Sequence, residues 1–187
     1  MLNAPENSKI DRIALQSAQT GVIIYDRSHW GRLYVWGDDR LRFLHNQSTN
    51  DCQSLKPGQS CDTVFVTSTA RTIDLATAYA TEEAVLLLVS PNRRQTLLDW
   101  LDRYIFPTDK VEVEDVTETT GCLSLIGEGS PAKLAQLGIV ADCAENTHQL
   151  IQFAGGEVRL AAGCGLALPG YTMIGDRPAM LQLAEAL

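Results

Sequence analysis

Five cysteines and three histidines are the residues of this 187-residue chain most able to do chemistry by themselves. The cysteines are Cys52, Cys61, Cys122, Cys143 and Cys164, and the histidines are His29, His45 and His148. The number of cysteines is odd and no two form a C-x-x-C pair, so their spacing predicts neither a disulfide framework nor a zinc ribbon. We expect reduced, mostly buried thiols, structural or surface histidines, and no metal site.

Two glycine-rich segments are the other local candidates for chemistry. Gly127-Glu128-Gly129 precedes a predicted helix and could surround an anion with backbone N–H groups, but it lacks a phosphate-binding lysine. Gly163-Cys164-Gly165 has no second cysteine and no neighbouring base that would make its thiol reactive. We interpret both segments as ordinary loops. The residue types and spacings alone therefore assign no catalytic residue.

The elements that would position any site are mostly strands joined by tight turns. Alternating or apolar runs predict strands at 22–25, 32–36, 61–67, 72–80, 84–89, 111–116, 122–126, 149–153 and 157–161. Start and stop signals predict helices from Ser8 to Gly21, after Asp38 or Asp39, from Ser90-Pro91 to Pro107, from Ser130-Pro131 to Gly138, and from Pro178 to Leu187. Gly155-Gly156 predicts a hairpin turn. This order indicates an α+β fold with mainly antiparallel sheets and packed helices.

The amino-acid composition and net charge exclude some classes of function for this chain. The chain is 45% hydrophobic and 20% charged, which is typical of a soluble globular protein. Its net charge of −8 repels phosphate backbones, so we expect no direct nucleic-acid binding. The sequence has no apolar run long enough for a signal peptide or a membrane span. We therefore expect a cytoplasmic protein that has no membrane partner.

Three stretches of the chain carry a family resemblance. Residues 37–51 read G-D-D-R-L-R-F-L-H-N-Q-S-T-N-D, and L-K-P-G-Q follows at 55–59. Residues 69–74 read T-A-R-T-I-D, and residues 84–92 read A-V-L-L-L-V-S-P-N, with R-Y-I-F at 103–106. Together they resemble the glycine-cleavage T-protein (GcvT, aminomethyltransferase) superfamily and its YgfZ-type members. In this resemblance Ala70-Arg71 stands where those families have Gly-Arg.

The resemblance implies a fold, a domain organisation and a cofactor. The fold would be the folate-binding N-terminal fold of that superfamily, with two interleaved lobes. One lobe would hold about residues 1–55 with 120–187, and the other about residues 56–119. The signature and the C-terminal barrel domain that follow in YgfZ-type proteins would lie beyond Leu187 and are absent from this chain. The cofactor would be tetrahydrofolate or a related folate.

The resemblance also implies which residues contact the folate. Thr77 and Leu88 would lie near its pocket, and Arg71 would orient a glutamate tail or an acidic side chain. Asp74 is the candidate carboxylate, although the aspartate of the family falls where this chain has Leu75. A shift of one position along a strand moves a side chain to the opposite face. Asp74 would then be a displaced partner of Arg71, or a bulge in the strand would re-aim it.

A second departure from the family bears on activity. The T-protein carries a glutamate in a G-Y-T-G-E segment, and the nearest equivalent here, residues 163–167, has no carboxylate. We therefore expect a YgfZ-like folate-binding protein that supports iron–sulfur cluster assembly or repair, or tRNA modification, and lacks aminomethyltransferase activity. Its partners would be folate and iron–sulfur proteins or their assembly machinery. The alternatives are a tetrahydrofolate-dependent one-carbon transferase that uses Asp74 as acid or base, and a non-catalytic interaction domain.

Overall fold

The computed structural model describes residues 21–187 together with Gln16 and Gln19. The helix predicted from Ser8 lies outside the described residues, apart from Gln16 and Gln19, which are helical. Within 21–187 the chain forms ten strands and four helices. The strands are β1 (Ile23–Asp26), β2 (Gly31–Trp36), β3 (Ser60–Val66), β4 (Thr72–Ala80), β5 (Ala84–Val89), β6 (Glu112–Asp115), β7 (Thr120–Ile126), β8 (His148–Phe153), β9 (Gly156–Ala162) and β10 (Gly170–Asp176). The helices are α1 (Arg40–Gln47), α2 (Arg94–Arg103), α3 (Ser130–Gln136) and α4 (Arg177–Ala186).

The strands form two five-stranded sheets within the described residues. Their orders are β1-β7-β10-β9-β8 and β3-β4-β5-β2-β6. Neighbouring strands pair antiparallel in both sheets, for example β10 with β9 and β4 with β5. The predicted α+β fold with mainly antiparallel sheets and packed helices is confirmed.

The chain divides into two compact units. The first unit holds the residues up to Arg27, Cys122–Glu145 and Gln149–Leu187. Its core includes side chains from the sheet and from the helices α3 and α4. The fully buried members are Leu125, Leu134, Val158, Leu160, Met173 and Leu183.

The second unit holds Ser28–Gly121 and Asn146–His148. Helices α1 and α2 supply Leu44, Leu97 and Leu101 to a core shared with the sheet, and all three side chains are fully buried. The sheet contributes alternate residues, such as Leu33 and Leu87, to the same core. One face of the sheet is thus fixed by the helices, and the positions between the core residues face the other way.

The units divide the chain differently from the predicted lobes in one long segment, and also at residues 120–121 and 146–148. The prediction places residues 28–55 with the C-terminal part of the chain. In the structure, β2 pairs with β5 from Gly31↔Val89 to Trp36↔Ala84, so this segment lies in the second unit with residues 56–119.

Two local predictions were wrong. The helix expected to begin at Ser90-Pro91 begins at Arg94, because Ser90 belongs to a turn in which the Arg93 N–H donates to the Ser90 carbonyl. The same helix ends at Arg103 and does not continue to Pro107. Strand β10 was not predicted at all, although it lies between β7 and β9 in the sheet. The glycines and proline before it favour a loop in the sequence, and its place in the sheet depends on pairing with distant strands.

Candidate functional site

The β3–β4 hairpin carries most of the residues that the sequence links to a ligand. Asp62 pairs with Thr77 and Val64 with Leu75 in an antiparallel register. The hairpin turn is closed by the Thr67 N–H donating to the Arg71 carbonyl at 2.8 Å and by the Arg71 N–H donating to the Thr67 hydroxyl at 3.1 Å. Directly paired residues point to the same face of a sheet, so this register decides which side chains can meet.

A β-bulge precedes Asp74. Phe65 pairs with Asp74 and Val66 with Thr72, which leaves Ile73 as an extra residue in β4. A bulge is therefore present, but it lies before Asp74 and does not turn the Asp74 side chain to the face of Leu75. Asp74 shares the face of its partner Phe65, which belongs to the helix-covered core, while Leu75 faces the opposite side. Asp74 is buried and Leu75 is 56% exposed.

The Asp74 carboxylate is held by the end of β5. Its Oδ2 atom accepts the Ser90 N–H at 2.8 Å. Its Oδ1 atom accepts no hydrogen bond from any described residue, so one acceptor remains for a donor outside this part of the chain. Among the described residues Arg71 and Asp74 form no ion pair, so the structure does not support the alternative in which Asp74 is a partner of Arg71.

Arg71 lies at the end of the hairpin turn and is exposed. The preceding residue, Ala70, has φ 58°, a left-handed conformation that glycine adopts at much lower cost. The conformation explains why a glycine suits this position in the resembling families. The turn projects the Arg71 guanidinium toward solvent, where it can bind an anionic group.

Thr77 and three neighbours form a small surface that we call the 62/77 patch: Asp62, Val64, Leu75 and Thr77. The Thr77 hydroxyl donates to Asp62 Oδ1 at 2.7 Å, which fixes the carboxylate across the two strands. Asp62 Oδ2 accepts no hydrogen bond from the described residues. Asp62 and Leu75 are exposed, and Val64 and Thr77 are half-buried. The patch therefore combines a fixed carboxylate acceptor with an apolar surface.

Of the predicted ligand residues, the structure brings together only Thr77 and Leu88. These two are paired across β4 and β5 and share a face. Leu88 is only 2% exposed, so it offers a ligand almost no surface to contact. Asp74 lies on the other face and Arg71 in the turn. Sequence reasoning missed Asp62, although it occupies an outward position in the alternating strand at 61–67.

The T-N-D motif holds its own segment against β3. Thr49 Oγ1 accepts the Val64 N–H at 3.2 Å, and the Asn50 side chain donates to the Asp62 carbonyl at 2.8 Å. A hydrogen bond from the Ser54 side chain lowers the pKa of Asp51, the last residue of the motif. The motif therefore fixes the position of β3, as short polar side chains do in irregular turns.

A buried arginine organises another part of the same unit. Arg32 is fully buried, and its guanidinium donates to the carbonyls of Ser28, Trp30, Thr117 and Thr120 and to the Thr120 hydroxyl. The Thr120 hydroxyl lies 2.6 Å from Arg32 Nε. So many internal acceptors give Arg32 a structural role, which the sequence did not indicate.

The two glycine-rich segments are loops, as interpreted from the sequence. The N–H groups of Gly127 and Gly129 donate to the carbonyls of Pro169 and Gly21, so they are not available to an anion. Cys164 is buried, and its thiol donates to the Leu168 carbonyl at 3.3 Å.

Neither a metal centre nor a membrane-spanning helix occurs in the described part of the chain. No three histidine, cysteine, aspartate or glutamate side chains there gather closely enough to hold a metal ion. None of its helices combines the length and the apolar character needed to cross a membrane.

Comparison with known proteins gives consistent results. The family model of the GCVT N-terminal domain matches residues 10–172. The chain is 43% identical over 166 residues to an Arabidopsis thaliana protein named as a candidate chloroplastic transferase, covering 88% of this chain and 38% of that protein. It is 31% identical over 122 residues to the aminomethyltransferase of Geobacillus thermodenitrificans, covering 65% of this chain and 33% of that enzyme. The chain thus spans well under half the length of these curated relatives.

Solved structures show the same fold. The glycine cleavage system aminomethyltransferase T from Bartonella henselae superposes with a TM-score of 0.82 at 19% identity, over 91% of this chain and 46% of that chain. A chain of the heterotetrameric sarcosine oxidase from Corynebacterium sp. U-96 superposes with a TM-score of 0.60 at 13% identity, over 100% of this chain and 95% of that chain.

Proposed function

The chain belongs to the GCVT N-terminal domain family, and from this premise we propose that it binds tetrahydrofolate, with the pterin end of the ligand on the 62/77 patch. The observation that carries the proposal is the Asp62–Thr77 pair. A pterin presents N–H donors along one edge, and these require an acceptor of fixed position. The Thr77 hydroxyl holds Asp62 Oδ1 at 2.7 Å and leaves Oδ2 for such a donor.

The rest of the patch suits an aromatic ring. Leu75, which is 56% exposed, and its partner Val64 offer an apolar surface beside the carboxylate. Ligand sites in proteins typically combine a mainly apolar surface with a few fixed polar groups. Leu75 occupies the position where the family has its aspartate. Asp62 supplies a carboxylate on that same face of the sheet.

Arg71 and Asp74 have separate parts in the proposal. The exposed Arg71 guanidinium would pair with a carboxylate of the glutamate tail, for which its planar fork of donors is well suited. Asp74 Oδ1 has no donor among the described residues, but Asp74 lies on the face opposite Thr77, so a single pterin ring would engage only one of the two acids.

We assign the chain a supporting role in iron–sulfur cluster assembly or repair, without aminomethyl transfer. The patch holds a carboxylate that is exposed and bonded to a hydroxyl, which suits binding better than proton transfer from a water-excluded site. Iron–sulfur proteins or their assembly machinery would be the partners, and the cytoplasm would be the compartment.

The second candidate is a tetrahydrofolate-dependent one-carbon transferase. The names of the relatives favour it, and so does Asp74, a buried carboxylate with one oxygen free. In that case Asp74 would act as the acid or base, and Asp74→Asn would abolish turnover with an aminomethyl donor. Our proposal expects no turnover from the parent chain.

Calorimetric titration with tetrahydrofolate tests the proposal. We expect Asp62→Asn and Thr77→Val each to weaken binding at least tenfold, about 1.4 kcal/mol. Asp99→Asn is the matched control, because Asp99 is also an exposed acid whose Oδ1 accepts one side-chain hydrogen bond, from Gln95 at 2.7 Å. Asp74→Asn should bind like the parent. Loss of binding in Asp74→Asn alone would move the site to the other face and favour the transferase. Absence of binding by the parent would leave the interaction-domain alternative.

A further inference from the structure

A short extended segment runs antiparallel to β3 in the second unit. Ser48 forms an isolated bridge with Phe65, and the Thr49 N–H donates to the Val64 carbonyl at 3.1 Å. In this antiparallel register, each step forward along the segment pairs with one step backward along β3. The Asn50 N–H follows the same register and donates to the Thr63 hydroxyl at 3.1 Å.

The last contact in this register is that of Asn50, and extending the register by two residues would set Cys52 opposite Cys61. Opposed residues in antiparallel pairs have Cα atoms about 4.5–5.5 Å apart, and a disulfide requires about 4.4–6.8 Å. Cys52 is a fully buried member of the core cluster, and Cys61 is half-buried and packs against that cluster. The ladder ends here, where the Cys52 N–H donates to the Asn50 carbonyl at 2.9 Å.

The two thiols shift each other's ionisation. The Cys61 thiol, with help from the hydroxyls of Ser48 and Thr63, lowers the pKa of Cys52 from 9.0 to about 6. Ser48 Oγ lies 3.5 Å from Cys52 Sγ. The pKa of Cys61 is raised, because its proton is held by the Cys52 sulfur. Cys52 is therefore the more readily ionised of the two thiols, and a thiolate is the form that takes part in thiol–disulfide exchange.

We propose that Cys52 and Cys61 are a reversible disulfide site that is oxidised by small-molecule disulfides such as oxidised glutathione. Cys61 reacts first because it is the more exposed of the two. Its sulfur attacks the small disulfide, its proton passes to Cys52, and one small thiolate leaves. The Cys52 sulfur then displaces the second small thiolate from Cys61, and the Cys52 proton leaves with it. One protein thiol, one protein thiolate and one small disulfide thus give one protein disulfide, one small thiol and one small thiolate.

Cys143 provides a contrast within the same chain. It lies in the first unit, its thiol donates to the Leu160 carbonyl at 3.3 Å, and burial raises its pKa. It should stay protonated at neutral pH and react slowly. Cys143→Ala is therefore the matched control for the two proposed cysteines.

The test is oxidation of the parent chain with oxidised glutathione, followed by thiol counting and intact mass measurement. We expect two of the five thiols to be lost, together with the mass of two hydrogen atoms and without bound glutathione. Chymotrypsin can cleave after Leu55, which separates Cys52 from Cys61. The two peptides should stay joined until a reductant is added. Cys143→Ala should form the same link, and Cys61→Ala should instead hold one glutathione or none.

Other outcomes would overturn the proposal. They are retention of all five thiols, a linkage that involves another cysteine, or glutathione adducts without a Cys52–Cys61 link. The readout on the parent chain needs no variant to fold. It is also independent of folate binding, so failure of either proposal leaves the other standing.

Discussion

At the residue scale, the hydrogen-bond partners of a charged side chain show whether it has a structural role or is available to a ligand. Arg32 is surrounded by carbonyl and hydroxyl acceptors inside the protein, whereas Arg71 reaches solvent from a turn. Asp62 and Asp74 each have one carboxylate oxygen bonded and one without a partner among the described residues. The difference between these two acids is the face of the sheet they occupy.

The role of Arg32 is testable by substitution. Arg32→Met would leave the buried carbonyls of Thr117 and Thr120 without donors, and each orphaned group costs about 1–3 kcal/mol. We expect the free energy of unfolding in urea to fall by about 3 kcal/mol or more. Arg71→Met is the matched control and should change stability by less than about 0.5 kcal/mol. Equal effects of the two substitutions would contradict a structural role specific to Arg32.

The ionisation of Cys52 is a second prediction at this scale. The ultraviolet thiolate absorbance assigned to Cys52, from the difference between the parent and Cys52→Ala, should rise with pH around 6. A lowered pKa means that the thiolate is present above that pH and is lost as the pH falls through it. In Cys61→Ala the neighbouring thiol that contributes most to lowering the Cys52 pKa is gone, so the rise should move up toward 9.0, the ordinary value. A Cys52 that titrates near the ordinary value in the parent protein would contradict the lowered pKa.

At the element scale, the β3–β4 hairpin determines the site. Its register sets Thr77 beside Asp62, and the alternation of side chains along β4 places Asp74, three positions from Thr77, on the opposite face. The sequence predicted β4 and β5 with their observed ends, because apolar and alternating runs there are bounded by clear turn residues. It could not predict the face that Asp74 occupies, since a bulge of one residue depends on pairing with β3. Nor could it predict β10, whose place in the sheet depends on distant partners.

The hairpin turn gives a prediction about stability. Ala70 has φ 58°, a conformation that costs an L-residue roughly 1–2 kcal/mol, whereas glycine adopts it freely but loses more entropy on folding. We expect Ala70→Gly to raise the free energy of unfolding by about 0.5 kcal/mol and Ala70→Val to lower it by about 1 kcal/mol or more. Chemical denaturation measures both. A destabilised glycine variant, or a valine variant as stable as the parent, would show that Ala70 is not strained.

At the scale of the whole molecule, the sequence predicted the class of fold better than the division of the chain. The α+β fold followed from local patterns and from motifs of the T-protein families. The sequence did not place residues 28–55 in the correct unit. Their place depends on the pairing of β2 with β5, and these strands lie some fifty residues apart in sequence.

The most direct test of the central claim is methyl NMR of the chain, labelled at valine and leucine, during addition of tetrahydrofolate. Our account predicts saturable shifts in the methyl signals of Val64 and Leu75, which lie on the 62/77 patch. The signals of Leu97 and Leu101, buried under the opposite face of the sheet, should stay in place. Saturable shifts at Val64 and Leu75 that disappear in Asp62→Asn would establish the patch as the folate site. Shifts confined to other methyl groups, or none at saturating ligand, would contradict it.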